Sequence, residues 1–225
     1  MRARRVTARA FHDAGDVDDW RVLFSGAHAY YRVPSFAEGA RFVAAIAEVG
    51  DAVGHVPDVD LRPEGVTVRT CSGEYGALRQ PDVELARRIS AAARTLRLEP
   101  DPSEVQALGI AVAQDAVSDV GPFWAAALGY RSLGAGEDVV DRHRRHPHVA
   151  FQPLHPPKPG RGRMHIDVSV PAEVAEARVA AALAAGGRLA DDTHAPQWWT
   201  LASPENHGVD IAAWPDTEDF KDDGS

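Results

Sequence analysis

One pattern occurs twice in this chain, at a spacing of 58 residues. The segment ALGIAV at 107–112 aligns with HIDVSV at 165–170, a helical pattern follows each of them, and Gly129 aligns with Gly187 at the same offset. Short strand-like segments then complete both copies. A repeat of this length predicts two βαβββ modules that pack against each other. Two similar sheets side by side can form a shared cleft for a small molecule.

The first hundred residues have a different pattern, which predicts an α+β unit. Ser35 and Glu38 form a capping box, and apolar residues at helical spacing follow it as far as Gly50. A second helix is predicted at about 81–98, and alternating residues predict strands at 28–33 and 65–69. The predicted fold class is therefore α+β: a sheet with helices on one face, followed by paired βαβββ modules.

A polar stretch separates the two patterns. The residues EPDPS at 99–103 are broken by prolines, which is typical of a linker. They predict a first domain at 1–99 and a second domain at 104–216. We expect the last residues, 217–225, to form a frayed acidic tail.

Charge and composition argue against several classes of function. The formal net charge of −9 disfavours general nucleic-acid binding, because attraction to phosphate needs clustered Lys and Arg. No apolar run approaches the roughly 18 residues of a membrane span, and the basic start of the chain lacks the apolar core of a signal peptide. The one cysteine, Cys71, allows neither a disulfide within the chain nor a cysteine-based zinc site. We therefore expect a cytoplasmic protein with no nucleic-acid or membrane partner.

A proline corner at 54–58, GHVPD, carries a residue suited to proton transfer. Imidazole titrates near neutrality, so His55 can serve as an acid or as a base. Together with AEVG at 47–50, VTV at 66–68 and DVELA at 82–86, the corner resembles the pterin-4a-carbinolamine dehydratase family over residues 20–96. The resemblance implies a sheet with helices on one face and the removal of water from 4a-hydroxytetrahydropterin.

The histidines of that family can be carried over position by position. The family has two adjacent histidines at the corner and a third beyond the next strand, and these match His55, Val56 and about Gly73. The resemblance thus implies that His55 is the remaining acid or base.

Three further residues are predicted around His55. We predict Asp58 as its catalytic partner, and His28 and Pro57 as part of the substrate pocket. The alternatives are that His55 is a corner residue bonded to backbone or water, that Asp58 only fixes the turn, and that His28 lies on the surface at a strand end.

The second half of the chain resembles the vicinal-oxygen-chelate superfamily, which includes glyoxalase I, over residues 105–214. The likeness rests on the paired modules and on PFW at 122–124, LGY at 128–130, HIDV at 165–168 and WTLASPEN at 199–206. Metal-binding members take one ligand from the first strand and one from the last strand of each module. Carried over, those four positions are Ala107, Gln152, His165 and Asp210.

These positions predict a ligand pocket rather than a metal centre. Alanine cannot bind a metal, so we expect a metal-free pocket that Gln152, His165 and Asp210 line; a three-ligand metal site is the alternative. Adjacent residues of a strand face opposite sides, so either Trp198 or Trp199 belongs to the core while the other can stack on a flat ligand, a role we assign to Trp199. The histidines at 143, 146, 148 and 155 lie among prolines and are expected at the surface.

Three functions follow from these features. The first is a lyase reaction, dehydration of 4a-hydroxytetrahydropterin, with a pterin-like small molecule as ligand and with no cofactor. The second is non-catalytic binding of a pterin or another small ligand, as in resistance proteins. The third is a metal-dependent lyase or isomerase that uses His165 and Asp210. Both resembled families commonly self-associate, so a homo-oligomer is expected.

Overall fold

The computed structural model describes residues 5–72, 76–114, 121–133, 138–153, 163–202 and 208–213. The chain divides into two compact units between Val105 and Gln106. Each unit is described by itself below. Within the described residues, no helix combines the length and the apolar composition that a membrane crossing requires.

The first unit is an antiparallel sheet with helices packed on one face, as predicted. Its described elements are, in chain order, β1 (Arg5–Val6), α1 (Ala8–His12), β2 (Trp20–Leu23), β3 (Gly26–Arg32), α2 (Phe36–Val53), β4 (Asp58–Arg62), β5 (Gly65–Thr70), β6 (Leu78–Arg79), α3 (Gln80–Thr95) and β7 (Glu99–Pro100). The sheet has the strand order β2-β3-β5-β4, and β7 pairs with the end of β3. A separate ladder joins β1 to β6, directly before α3.

Alternation along β3 and β5 decides which face of this sheet the helices cover. Ala29 and Tyr31 on β3 are fully buried, as are Val66 and Val68 on β5. These residues join apolar side chains of α2 and α3 in one core cluster. Because successive residues of a strand point to opposite sides, His28 lies on the face away from the helices.

The end of α2 differs from the prediction. The helix begins as expected, with Ser35 Oγ accepting the backbone N–H of Glu38. It passes through the predicted stop, because Gly50 is buried inside the helix. The helix ends instead at Gly54, which has a left-handed φ of 70° that glycine adopts at little cost.

The predicted linker belongs to the sheet of the first unit. Glu99–Pro100 pairs with the end of β3, and the N–H of Asp101 donates to the carbonyl of Tyr30. The Arg32 guanidinium lies 2.6 Å from Asp101 Oδ2 and 3.3 Å from Glu104 Oε1. The polar residues that suggested a free linker therefore anchor this segment to β3.

The second unit consists of two βαβββ modules, as the repeat predicts. Its described elements are β8 (Ala107–Gln114), α4 (Gly121–Leu128), β9 (Arg131–Leu133), β10 (Asp138–Val140), β11 (His148–Pro153), β12 (Arg163–Ser169), α5 (Ala172–Ala184), β13 (Arg188–Asp191), β14 (Trp198–Ala202) and β15 (Gly208–Ala212). They form one sheet in the order β13-β14-β15-β12-β8-β11-β10-β9. The first strands of the two modules, β8 and β12, pair antiparallel at its centre.

The two faces of the second sheet differ in chemistry. On one face, Leu201 and Ile211 pack with Val179 of α5, and Val149 and Phe151 pack near α4. The other face, which we call the open face, carries His165 and Asp167 of β12 and Asp210 of β15, since Asp167 lies directly opposite Asp210. The polar side chains of this unit therefore gather on the side away from the helices.

Candidate functional sites

The corner after α2 positions His55. Gly54 reverses the chain at the end of the helix, and the backbone N–H of His55 returns to the carbonyl of Gly50. Pro57 follows and leads into β4. The His55 side chain is 19% exposed, so most of the ring is enclosed while one part remains open to a ligand.

Three polar side chains surround one nitrogen of the His55 ring. Its Nε2 lies 2.9 Å from Asp82 Oδ1, 3.0 Å from Thr70 Oγ1 and 3.2 Å from Ser72 Oγ. Thr70 is the last residue of β5, Ser72 follows it by two residues, and Asp82 lies in the first turn of α3. The ring is thus held where a helix end, a strand end and a helix start meet.

Asp82 is a fully buried carboxylate that accepts hydrogen bonds on both oxygens. Its side chain is 0% exposed. Oδ2 accepts the backbone N–H groups of Arg79 and Ser72, at 2.8 and 3.2 Å, and Oδ1 accepts the Thr70 hydroxyl and His55 Nε2. A buried charge needs such partners, because water is not there to solvate it.

This network determines the proton positions on the ring. A carboxylate only accepts, and the Thr70 hydroxyl already donates to Asp82, so both close partners of Nε2 act as acceptors toward it. Nε2 must therefore carry a hydrogen. In the neutral ring, Nδ1 is then the acceptor, and among the described residues it has no hydrogen-bond partner.

A second polar cluster lies on the open face of the other unit. His165 Nε2 is 3.1 Å from Asp167 Oδ1 and 3.3 Å from Asp210 Oδ2. Hydrogen bonds to Asp167 and Asp210 raise the pKa of His165 to about 10. The other oxygen of Asp210, Oδ1, is buried and has no hydrogen-bond partner among the residues that the structure describes. These three side chains offer ligand atoms within 4.8 Å of one another.

Strand register adds a fourth residue near this cluster. Asp210, Asp167, Gly109 and His148 lie in one row across β15, β12, β8 and β11. A Cβ on Gly109 would lie 2.5 Å from Cε1 of His148, so the missing side chain makes room for that imidazole. Burial lowers the pKa of His148, while Asp138 and Asp167 oppose the shift.

Comparison with known proteins identifies the first unit. A family model described as pterin 4 alpha carbinolamine dehydratase matches residues 4–92. Several relatives carry the name "Putative pterin-4-alpha-carbinolamine dehydratase". The protein from Roseiflexus sp. (strain RS-1) is 32% identical over 89 residues, which cover 40% of this chain and 96% of the relative. The chain belongs to the pterin 4 alpha carbinolamine dehydratase family.

Further matches were found, and one of them covers the second half of the chain. Another relative with this name, from Mycobacterium avium (strain 104), is 32% identical over 75 residues, which cover 33% of this chain and 80% of that protein. The crystal structure of a transcriptional coactivator/pterin dehydratase from Brucella melitensis aligns at 19% identity and a TM-score of 0.37, over 40% of this chain and 99% of that one. A model described as glyoxalase-like domain matches residues 109–212.

The dehydratase domain brings together a different set of residues from the one predicted. Asp58 pairs with Arg69, whose guanidinium lies 2.6 Å from Asp58 Oδ2, whereas His55 Nε2 bonds to Asp82, Thr70 and Ser72. His28 is also apart from His55, because it lies on the opposite face of the sheet, 2.8 Å from Ser25 Oγ. Burial, followed by the charge of Arg69, lowers the pKa of His28 to about 3.

Three other positions from the sequence analysis belong to the corner or to the histidine pattern of the family. Val56, which stands where the family has its second histidine, is 66% exposed. Pro57 is half-buried between His55 and β4. Gly73, at the position of the third histidine, lies outside the described residues.

The glyoxalase-like domain requires two corrections. The 58-residue spacing predicts that Gln152 is the counterpart of Asp210. The strand register instead places His148 opposite Gly109, in the same row as Asp210. Gln152 lies four residues farther along β11 and is exposed. Trp199 packs into the hydrophobic cluster under α5, so it does not line the open face. Its neighbour Trp198 is on the open face, stacked on His194 with ring centroids 4.0 Å apart.

Several residues of these sites were not predicted from the sequence, among them Asp82, Asp167 and His148. Asp82 matched the family pattern but was given no role, and its signal was its place in the first turn of a helix that begins with Gln80-Pro81. Asp167 follows His165 by two residues, the spacing that places both on one face of a strand. His148 was expected at the surface, and the side chain is instead half-buried in β11.

Proposed function

We propose that the dehydratase domain removes water from 4a-hydroxytetrahydropterin and that His55 transfers the proton. The observation that carries this proposal is the hydrogen-bond arrangement of the ring. Nε2 is held by Asp82 and Thr70, while Nδ1 is left as an acceptor for a ligand. The family of the chain supports the choice of substrate.

One imidazole can serve both halves of this dehydration. The reaction removes the hydrogen on N5 and the hydroxyl on the adjacent carbon C4a, and it forms the N5=C4a double bond. His55 Nδ1 accepts the N5 proton, the C–O bond breaks, and the imidazolium then protonates the departing hydroxide to give water. Because the two atoms are neighbours in the substrate, a single well-placed proton carrier replaces a separate acid and base.

Asp82 supports this step without touching the substrate. A carboxylate hydrogen-bonded to one ring nitrogen keeps the other in the acceptor form and stabilises the imidazolium that forms during the reaction. Both oxygens of Asp82 are already engaged, so the carboxylate remains in one orientation.

Turnover of chemically generated 4a-hydroxytetrahydropterin, followed by absorbance, tests the proposal. His55→Ala should lower the enzyme-dependent rate by about 10²–10⁴-fold, the usual contribution of a general acid or base. Asp60→Asn is the matched control, because Asp60 is exposed and bonded to Arg62. An unchanged rate in His55→Ala would reject the assignment. Pterin binding by a wild-type protein without turnover would favour the non-catalytic alternative.

We propose, as a second function, that the glyoxalase-like domain holds a divalent metal at His165, Asp167 and Asp210. Imidazole and carboxylate are suitable ligands for Zn²⁺, Ni²⁺ and Mn²⁺. The buried Asp210 Oδ1 supports the proposal, because it lacks a hydrogen-bond partner within the described part of the chain and a cation would satisfy it. A metal bound there would supply Lewis-acid polarisation of a ligand oxygen, as a lyase or isomerase requires.

Isothermal titration of the full chain with each of these three metal ions tests the second function. Saturable binding to the wild-type protein, with a stoichiometry near one, would support it. If none of the three ions binds, the metal proposal is wrong, and the metal-free pocket predicted from the sequence is favoured.

The family also supports two simpler proposals: a small-molecule substrate and a homo-oligomeric state. Sedimentation equilibrium of the full chain would test self-association. A concentration-independent monomer mass would contradict it.

A further inference from the structure

Ser72 is the third polar group at Nε2 of His55, and its hydroxyl differs from the other two in what it can donate. Its Oγ lies 3.2 Å from Nε2, and its backbone N–H donates to Asp82 Oδ2. The side chain is half-buried at the end of the strand that carries Thr70. It therefore stands at the edge of the buried network.

The Ser72 hydroxyl accepts from His55 Nε2 and has its own hydrogen left to donate. Nε2 carries a hydrogen, because its partners Asp82 and Thr70 can only accept from it. Ser72 Oγ can then act toward Nε2 only as an acceptor. Its own hydrogen has no partner among the residues that the structure describes, so it is available to a ligand.

We propose that the Ser72 hydroxyl is the hydrogen-bond donor to the leaving hydroxyl of the carbinolamine. This inference rests on the proposed dehydratase function. The site then presents one acceptor, Nδ1 of His55, and one donor, the O–H of Ser72, which are the two groups that the reaction needs. Ser72 thereby takes part of the role of the acid/base groups that Val56 and Gly73 do not provide.

The chemical step keeps the serine as a donor rather than as an acid. As the C4a–O bond breaks, its electron pair moves to the oxygen, and the Ser72 hydrogen bond stabilises the charge that develops there. The N5 proton moves to His55 Nδ1, and the electron pair of the N5–H bond forms the new N5=C4a bond. The imidazolium then protonates the hydroxide, so Ser72 ends the reaction unchanged and one water is released.

Steady-state kinetics of the full chain with Ser72→Ala and Ser72→Thr test the proposal. Ser72→Ala should lower kcat by about 10- to 100-fold, which corresponds to a hydrogen bond to a charged oxygen. KM should stay within about twofold, because the charge on that oxygen exists mainly in the transition state. Ser72→Thr keeps a hydroxyl and should retain kcat within about threefold. Thr95→Ala is the remote control, since that hydroxyl binds a carbonyl of its own helix.

The outcomes separate this inference from the proposed function. Turnover by the wild type together with an unchanged kcat in Ser72→Ala would overturn only the role of Ser72. An equal loss in the alanine and threonine variants would also overturn it, because the hydroxyl would not be the cause. A wild-type protein with no turnover would overturn both proposals. Should Ser72→Ala fail to fold, Ser72→Gly provides a second variant without the hydroxyl and with the same backbone donor, and it should show the same loss.

Discussion

Each of the two units places a histidine beside at least one carboxylate, but the carboxylates differ in how many of their oxygen atoms accept hydrogen bonds. In the dehydratase domain, Asp82 is fully buried and both of its oxygens accept hydrogen bonds. In the glyoxalase-like domain, His165 lies between Asp167 and Asp210, and one buried oxygen of Asp210 has no hydrogen-bond partner among the described residues of the domain. A carboxylate with both oxygens hydrogen-bonded can orient a histidine for proton transfer. A carboxylate with an oxygen that lacks a hydrogen-bond partner can still bind a cation.

The comparison shows that the neighbours of a histidine decide its chemistry. A single buried Asp82 bonds one ring nitrogen of His55 and leaves the other nitrogen as an acceptor. Two carboxylates beside His165 instead raise its pKa to about 10, so the ring is a cation at neutral pH unless a metal replaces the proton. The first arrangement suits proton transfer, and the second suits binding of a positive ion.

The largest expected effect is the loss of stability on removing Asp82, the carboxylate whose two oxygens both accept hydrogen bonds. Asp82→Ala leaves buried donors of Thr70, Ser72 and Arg79 without their acceptor and should cost about 3–5 kcal/mol of unfolding free energy. Urea unfolding of the first domain measures this loss. Asp60→Ala is the control, because its side chain is 55% exposed and its ion pair with Arg62 should be worth less than about 1 kcal/mol. Equal losses in the two variants would contradict the view of Asp82 as the centre of the site.

Val56→His should restore a second proton carrier at the corner. Val56 is exposed, so the larger ring fits there without displacing the core. The dehydration rate should rise by about 10²-fold, the lower end of a general acid or base contribution. Val56→Gln, which is polar but cannot titrate, should leave the rate unchanged. A rate in Val56→His equal to that of the wild type would show that the corner does not face the substrate.

Asp210→Asn should weaken metal binding by at least about tenfold, since the amide carries no charge and its nitrogen cannot coordinate. The unsatisfied oxygen of Asp210 is the reason for choosing this residue. Titration calorimetry with Zn²⁺ measures the dissociation constants. Gln152→Ala is the matched control, because the register moves Gln152 out of the row that contains Asp210. A larger loss with Gln152→Ala would favour the site predicted from the 58-residue spacing.

His28→Gln should make the protein less sensitive to acid. The pKa of His28 is lowered to about 3 in the folded protein, against an ordinary value of 6.5, so the unfolded chain binds more protons between these pH values. The wild type therefore loses stability as the pH falls from about 6.5 toward 3, by up to about 1.4 kcal/mol per pH unit. The glutamine can keep the bond to Ser25 and removes this slope. Urea midpoints at pH 7, 6, 5 and 4 measure it, and parallel curves for the two proteins would contradict the expectation.

Much of the fold could be predicted because it depends on local patterns. The capping box at Ser35 and Glu38 marked the start of α2, and the 58-residue repeat marked two βαβββ modules. The end of α2 could not be predicted, because Gly50 and Gly54 are equally good stops in the sequence and only packing buries the first of them. The segment at 99–104 looked like a linker for a similar reason: its pairing with β3 is a contact between distant parts of the chain.

The sites could be predicted only in part. His55, His165 and Asp210 have side chains that can transfer a proton or bind a metal, and they stand at positions that the families use, so their residue types pointed to them. Asp82 stands 27 residues from His55, and no spacing rule links the end of one helix to the start of another. His148 was missed because the two modules differ in the spacing between their first and last strands. His148 follows its partner Gly109 by 39 residues, whereas Asp210 follows its partner Asp167 by 43 residues. A constant spacing of 58 residues between the modules therefore selected Gln152 instead.

By itself, the sequence determined the secondary structure pattern, the repeat and the chemical types of the candidate residues, since these follow from periodicity and from side chains near each other in the chain. Only the tertiary structure decided which groups meet: Asp82 rather than Asp58 at His55, and Asp167 beside His165 and Asp210. The physical reason is that hydrogen bonds and ion pairs act over about 3 Å, while strand register and helix packing determine which distant residues come that close.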